Sequence, residues 1–191
     1  MEQTITTQTK LKETDTQEKA VVTDPKILII GYSEAGKTTA SKLLAKQNNT
    51  ECMGTAQVIM REIWVDCFQF SAKTPSELGE QASFIKKLKL AERFGDLFRI
   101  YMRDVGNRLR SDDPAALAKA CLELDFPIVE GVRTCEEFNA CKHLFDEILW
   151  IDRELATPNE TDELVPSDAD KIIDNNGTID ELRENLLNRN V

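Results

Sequence analysis

Lys26-Ile27-Leu28-Ile29-Ile30-Gly31-Tyr32-Ser33-Glu34-Ala35-Gly36-Lys37-Thr38-Thr39 is the stretch that decides how the rest of the chain reads. Ile27 to Ile30 form a continuous apolar run, which suits a strand buried on both faces of a parallel sheet. From Gly31 onward the residues match G-x-x-x-x-G-K-[ST] at every fixed position, directly after that strand and directly before an expected helix from Lys37 to about Gln47. Glycines at these positions let backbone N–H groups turn inward around a phosphate, and the helix N-terminus adds a favourable dipole. Gly31, Ser33, Glu34, Ala35, Gly36, Lys37, Thr38 and Thr39 are therefore the candidate nucleotide contacts. Lys37 is expected to reach the β- and γ-phosphates of ATP, and the Thr38 hydroxyl to coordinate Mg²⁺.

Outward from this loop, strand and helix signals alternate. A short strand is expected near Thr50–Met53. Ile59, Met60, Ile63, Trp64, Cys67 and Phe68 then recur at the three- and four-residue spacing of one helix face. Pro75 and Gly79 punctuate the chain before a Pro-free helical stretch from about Ser83 to Arg110. Asp113 caps a helix with Pro114 in its first turn. Phe126–Glu130 and Ile148–Ile151 read as buried strands, and Lys171-Ile172-Ile173 as a last short one, closed by the Asn175-Asn176-Gly177 turn. Thr134-x-x-Glu137 and Thr178-x-x-Glu181 are capping boxes that open helices. This alternation predicts an α/β fold of about five parallel strands with helices on both faces.

Composition bounds the alternatives. The chain has 191 residues, 41% hydrophobic and 30% charged, the size and mix of one globular domain. Residues 1–24 contain seven Thr and no aromatic side chain, so they are expected to be a disordered tail before a single domain of residues 25–191. No apolar run approaches a membrane span and no hydrophobic signal core is present, so neither membrane insertion nor secretion is expected. Five cysteines without a C-x-x-C pair, and one histidine (His143, read as structural or surface), argue for a reduced intracellular setting without zinc.

The second half carries the other candidate site residues. Glu130 and Arg133 fall at the C-terminal end of a strand, the edge where parallel sheets bind ligands. Glu130 is a candidate for the Mg²⁺ shell or for general base towards an attacking hydroxyl, and Arg133 for a phosphate clamp. A plain surface Glu–Arg pair is the structural alternative. Arg153 opens a loop, expected to be mobile, that runs to Asp168 with two prolines and five acidic residues. It is the candidate lid arginine over the transferring phosphoryl, with a solvated arginine as alternative. Asn175 and Asn176 are placed to meet a nucleotide base, or simply to turn the chain. The net charge is −10, yet residues 86–110 hold eight basic side chains against three acidic. Arg99, Arg103 and Arg110 share a helical face by spacing and are the candidate contacts for a polyanionic acceptor; a solvated face is the alternative.

These residues together resemble the small phage nucleotide kinases, relatives of deoxynucleoside monophosphate kinases. The matching elements are KILIIGYSEAGKTT (26–39), SDDPAALAKA (111–120), EGVRTCEEF (130–138), LFDEILWIDR (144–153) and ADKIIDNNGTIDEL (169–182). The last is also similar to the end of dephospho-coenzyme A kinases. The resemblance implies a P-loop NTPase three-layer sandwich, ATP as donor, Mg²⁺, a lid over the acceptor, and work in the cytoplasm of an infected bacterial host. The guanine-reading Asn-Lys-x-Asp run of GTPases is absent from the sequence. The resembled group has two activities: one phosphorylates deoxynucleoside monophosphates, the other the hydroxymethyl group of 5-hydroxymethyluracil in phage DNA. A lid with Arg153 alone, and carboxylates placed to serve a hydroxyl acceptor, favour the DNA-base activity. The net charge favours the monophosphate activity, and a non-catalytic nucleotide-binding protein is the third reading.

Overall fold

A computed structural model describes residues 24–68 and 90–190. The expected tail, the Pro75–Gly79 punctuation, residues 83–89 of the basic helix with Lys86, Lys87 and Lys89, and the side chain of Arg99 lie outside what is described.

Five strands form one parallel sheet: β1 (Ile27–Ile30), β2 (Cys52–Gly54), β3 (Ile128–Glu130), β4 (Glu147–Asp152) and β5 (Lys171–Asp174), in the order β2-β3-β1-β4-β5. The helices are α1 (Lys37–Asn48), α2 (Thr55–Phe68), α3 (Leu90–Arg110), α4 (Ala116–Glu123), α5 (Cys135–Cys141) and α6 (Ile179–Leu187). No helix among the described residues is both long and apolar enough to cross a membrane.

The pleat sorts the strand residues onto two cores. Leu28 and Ile30 face one side with Met53, Val129, Ile148 and Trp150, where Ile59 and Ile63 of α2, Val105 of α3, Leu117 of α4 and Phe138 of α5 cover them. Ile27 and Ile29 face the other with Ile128, Leu149, Ile151 and Ile173, beneath Leu44 of α1 and Leu182 and Leu186 of α6. All four residues of β1 are fully buried because strands flank it and helices cover both faces, which is why this segment reads as unbroken Ile and Leu.

Local signals resolve individually. Thr178 and Glu181 form the complete reciprocal capping box at α6. At α5 only half forms: Thr134 Oγ1 accepts the Glu137 N–H at 3.2 Å. The Glu137 side chain turns into the core instead and faces Arg110 Nη1 at 3.9 Å. Asp113 accepts from Ala115 N–H at 2.9 Å and fastens the Pro114 turn, but α4 begins only at Ala116 with Ala115 as its cap, so the expected helix with Asp113 as cap and Pro114 in its first turn does not form. β3 is shorter than expected, because Phe126 and Pro127 approach it as irregular chain.

Candidate functional site

β1 is central, its C-terminal end lies at the sheet edge where parallel strands bind ligands, and the chain leaves it as the Gly31–Thr38 loop. Glu34 adopts a left-handed φ of 64° and Gly36 a φ of 97°. A side chain at Gly36 is strained by that φ and would also push the Asn175 amide aside. Lys37, buried at the start of α1, folds back so that its Nζ donates to Gly31 O at 2.7 Å and Tyr32 O at 2.6 Å. Burial lowers its pKa, as does the Arg133 charge, while Asp162 and Glu130 act the other way. The loop is braced from behind by Tyr32, whose ring meets Trp150 of β4 edge-to-face with centroids 4.9 Å apart.

Glu130, at the end of β3, lies next to the loop's exit. Thr38 Oγ1 donates to Glu130 Oε2 at 3.1 Å. Burial pushes the Glu130 carboxyl up, opposed by the Thr38 bond and by Lys37. A hydroxyl and a carboxylate converging beside a phosphate loop are hard oxygen donors, and they fit Mg²⁺ completed by waters and phosphate oxygens. The next residue, Gly131, has a φ of 100° and packs against Thr55 at the start of α2.

Arg133 reaches over the front of the loop, its Nη1 donating to Ser33 Oγ at 3.2 Å. Arg153 lies on the opposite side. Its Nη1 approaches Glu34 O at 3.4 Å, and it lines a cleft of about 520 Å³ with Leu155, Asn175, Asn176 and Ile179. The expected lid arginine thus stands beside this cleft, and the guanidinium nearer Ser33 is that of Arg133. Asn175 Nδ2 donates to Ala35 O at 2.7 Å, tying the turn after β5 to the phosphate loop. Asn176 Oδ1 accepts the Glu154 N–H at 2.8 Å. Leu155 and Ile179 are 85% and 61% exposed, two apolar side chains left uncovered at the cleft.

The stretch read as a mobile loop is irregular but tied down. Asn159 Nδ2 donates to Ser33 Oγ at 2.6 Å, and Asp162 Oδ2 accepts the Ser33 N–H at 2.9 Å. Of the candidate acceptor arginines, Arg103 is exposed on α3. Arg110 is engaged, donating to Asn107 Oδ1 at 3.1 Å and facing the buried Glu137. The structure therefore gathers the loop, Glu130 and Arg133 at one sheet edge with Asn175, Asn176 and Arg153 beside them, while Arg103 is exposed on α3 and Arg110 is turned to Glu137. Sequence reading does not single out Leu155, Ile179, Asn159 or Asp162. The only hint was an isolated apolar residue in each case of the first two, and nothing marks Asp162 among its acidic neighbours.

Strand order, all-parallel pairing and the glycine loop between β1 and α1 define an α/β P-loop NTPase fold. No protein-family model matches the chain, and no curated protein matches it in sequence. Among solved structures it is similar to shikimate kinase from Aquifex aeolicus, at 18% identity over 84% of this chain and 92% of that one, with a TM-score of 0.42.

Proposed function

We propose that this chain is an ATP-dependent phosphotransferase whose acceptor is the hydroxymethyl group of 5-hydroxymethyluracil in DNA. The observation that carries the kinase reading is the intact phosphate loop with Lys37 and Thr38 in place and Glu130 Oε2 3.1 Å from the Thr38 hydroxyl. The adenine enters the cleft between Leu155 and Ile179, with Arg153, Asn175 and Asn176 at its polar edge. Loop N–H groups receive the phosphates, and Lys37 exchanges its two carbonyl partners for phosphate oxygens. Thr38 and Glu130 would hold Mg²⁺, which would supply charge neutralisation on the phosphate oxygens. Arg133 turns from Ser33 Oγ to the transferring phosphoryl group.

The acceptor reading rests on a carboxylate left to serve a hydroxyl nucleophile, which needs a base near the loop: with Glu130 given to the Mg²⁺ shell, that carboxylate is Asp152, exposed at the end of β4. A monophosphate acceptor needs no such base. The second reading, a deoxynucleoside monophosphate kinase, is favoured by the net charge of −10 and by the engagement of Arg110 with Glu137, which leaves fewer cations for a DNA backbone.

The test is transfer of label from γ-labelled ATP with Mg²⁺. The acceptors are DNA containing 5-hydroxymethyluracil, unmodified DNA, and a panel of deoxynucleoside monophosphates. Label in the modified DNA alone is the expected result. Label in a monophosphate alone overturns the DNA acceptor and retains the kinase. Nucleotide binding without transfer to any of them makes this a non-catalytic P-loop protein.

A further inference from the structure

Asp162 holds a position that a loop anchor does not require. Its side chain is only 4% exposed, although it belongs to a polar loop. Oδ2 accepts the Ser33 N–H at 2.9 Å and the Asn159 N–H at 3.3 Å, and Oδ1 lies 3.5 Å from Arg133 Nη1. The carboxylate also acts on the Lys37 ammonium, whose charge it favours. One anion is therefore set against a phosphate-loop amide and the guanidinium that overhangs the loop, within the field of the loop lysine. Those are the groups that a phosphate would engage there.

The surroundings fasten this arrangement from both sides. Asn159 Nδ2 bonds Ser33 Oγ at 2.6 Å, and Arg133 Nη1 bonds the same oxygen at 3.2 Å. Glu163 N–H donates to Arg133 O at 3.0 Å, and Glu163 Oε2 accepts the Cys135 N–H at 2.8 Å. The loop is thus stitched to the Arg133 segment by one backbone bond and one carboxylate-to-amide bond, neither of which uses a donor of the phosphate loop. The bonds to Ser33 are different, because a bound polyphosphate bears on the same donors.

We propose that Asp162 is a surrogate phosphate: it occupies the anion-binding donors Ser33 N–H and Arg133 in the nucleotide-free protein and is displaced by the terminal phosphate of the bound triphosphate. The inference rests on the phosphate-loop reading above and adds an internal competitor to it. A nucleotide without terminal phosphates leaves the latch closed. A triphosphate must open it, so its apparent affinity is reduced by the fraction of protein already open. A hydrogen bond to a charged group is strong enough to hold the latch closed by about tenfold or more.

The experiment is equilibrium binding of ATP, tripolyphosphate and AMP, each with Mg²⁺, to the wild-type chain and to Asp162→Asn and Asp162→Glu. Asp162→Asn should bind ATP and tripolyphosphate about tenfold more tightly with AMP unchanged, and Asp162→Glu should stay within a few-fold of wild type. Unchanged or weaker ATP binding by Asp162→Asn, or an equal gain for AMP, overturns the surrogate role while leaving the nucleotide site standing. If neither wild type nor variant binds any of the three, the phosphate-loop reading fails and the inference falls with it. A measurement on the wild type alone guards against a variant that does not fold. Hydrogen–deuterium exchange across residues 157–165 should quicken on adding a non-hydrolysable ATP analogue and not on adding AMP. Exchange that is slowed or unchanged by the analogue overturns the displacement.

Discussion

Gly131→Ala tests whether the end of β3 is set by the close packing of loop against helix. The glycine has a φ of 100°, and a Cβ built there would stand 2.6 Å from Thr55 Oγ1 and 3.3 Å from Thr55 N. The backbone conformation costs an L-residue about 1–3 kcal/mol. The overlap costs about 1–3 kcal/mol more, because Thr55 is buried and cannot swing clear. The total of about 2–6 kcal/mol, at roughly 2–4 °C per kcal/mol for a chain of this size, corresponds to a fall in Tm of roughly 10 °C. Thr55→Ala removes the oxygen but not the φ. In that background the same substitution should cost only the backbone part, giving a favourable coupling of about 1–3 kcal/mol in a double-mutant cycle. The readouts are thermal melts and denaturant midpoints of the four proteins. The pair also bears on the site: pushing Gly131 off Thr55 carries Glu130 away from Thr38, so the Mg²⁺ requirement of the single variant should rise. A neutral Gly131→Ala, or strictly additive costs, would refute the packing argument.

Lys37→Ala should reduce kcat by about 10²–10³ while nucleotide affinity falls much less, because the charge is needed most where charge develops in transfer; near-normal turnover sinks the kinase reading. Asn175→Ala removes the bond to Ala35 O and should cost about 1 kcal/mol of stability and raise the KM for ATP several-fold. Unchanged KM would separate the turn after β5 from the nucleotide site. Glu137→Gln should flatten the pH dependence of stability. Burial raises this carboxyl above its ordinary 4.5 against the pull of Arg110, so the stability present below pH 4.5 is lost as pH rises through the folded value. Glutamine has no proton to lose: its Tm should exceed the wild type's at neutral pH more than at pH 4, and the reverse ordering would show that the Arg110 attraction outweighs burial.

What was legible in the sequence was what is decided locally. The run from Lys26 to Thr39 specifies strand, loop and helix from neighbouring residues alone, and all three form where expected. Thr178 and Glu181 likewise settle their own helix start. The box at Thr134 half-formed because tertiary structure outbid it: Glu137 lies against the core beside Arg110, and its Oε1 finds no hydrogen-bond partner among the described residues. The side of the loop on which Arg153 lies depends on β4 pairing with β1 on the edge away from β3, a strand order that no local pattern encodes. Asp162 is one of five acidic residues in its loop, and only the path of that loop across Ser33 distinguishes it.

The strand order has a consequence for how the protein is made. β1 is among the first elements of the described chain, yet both of its neighbours come late: Ile27 pairs with Ile128 on one side and Glu147 on the other. About a hundred residues must therefore emerge before either flank of the phosphate-loop strand is covered, and closing so long a loop is entropically slow. Until then Ile27–Ile30 is an apolar segment with two open edges on a growing chain, the kind of surface that recruits chaperones or other nascent strands. A site built from the loop, Glu130 and Arg133 is complete only once β3 and β4 have emerged, and a ligand bound there would add its binding energy to the assembled sheet.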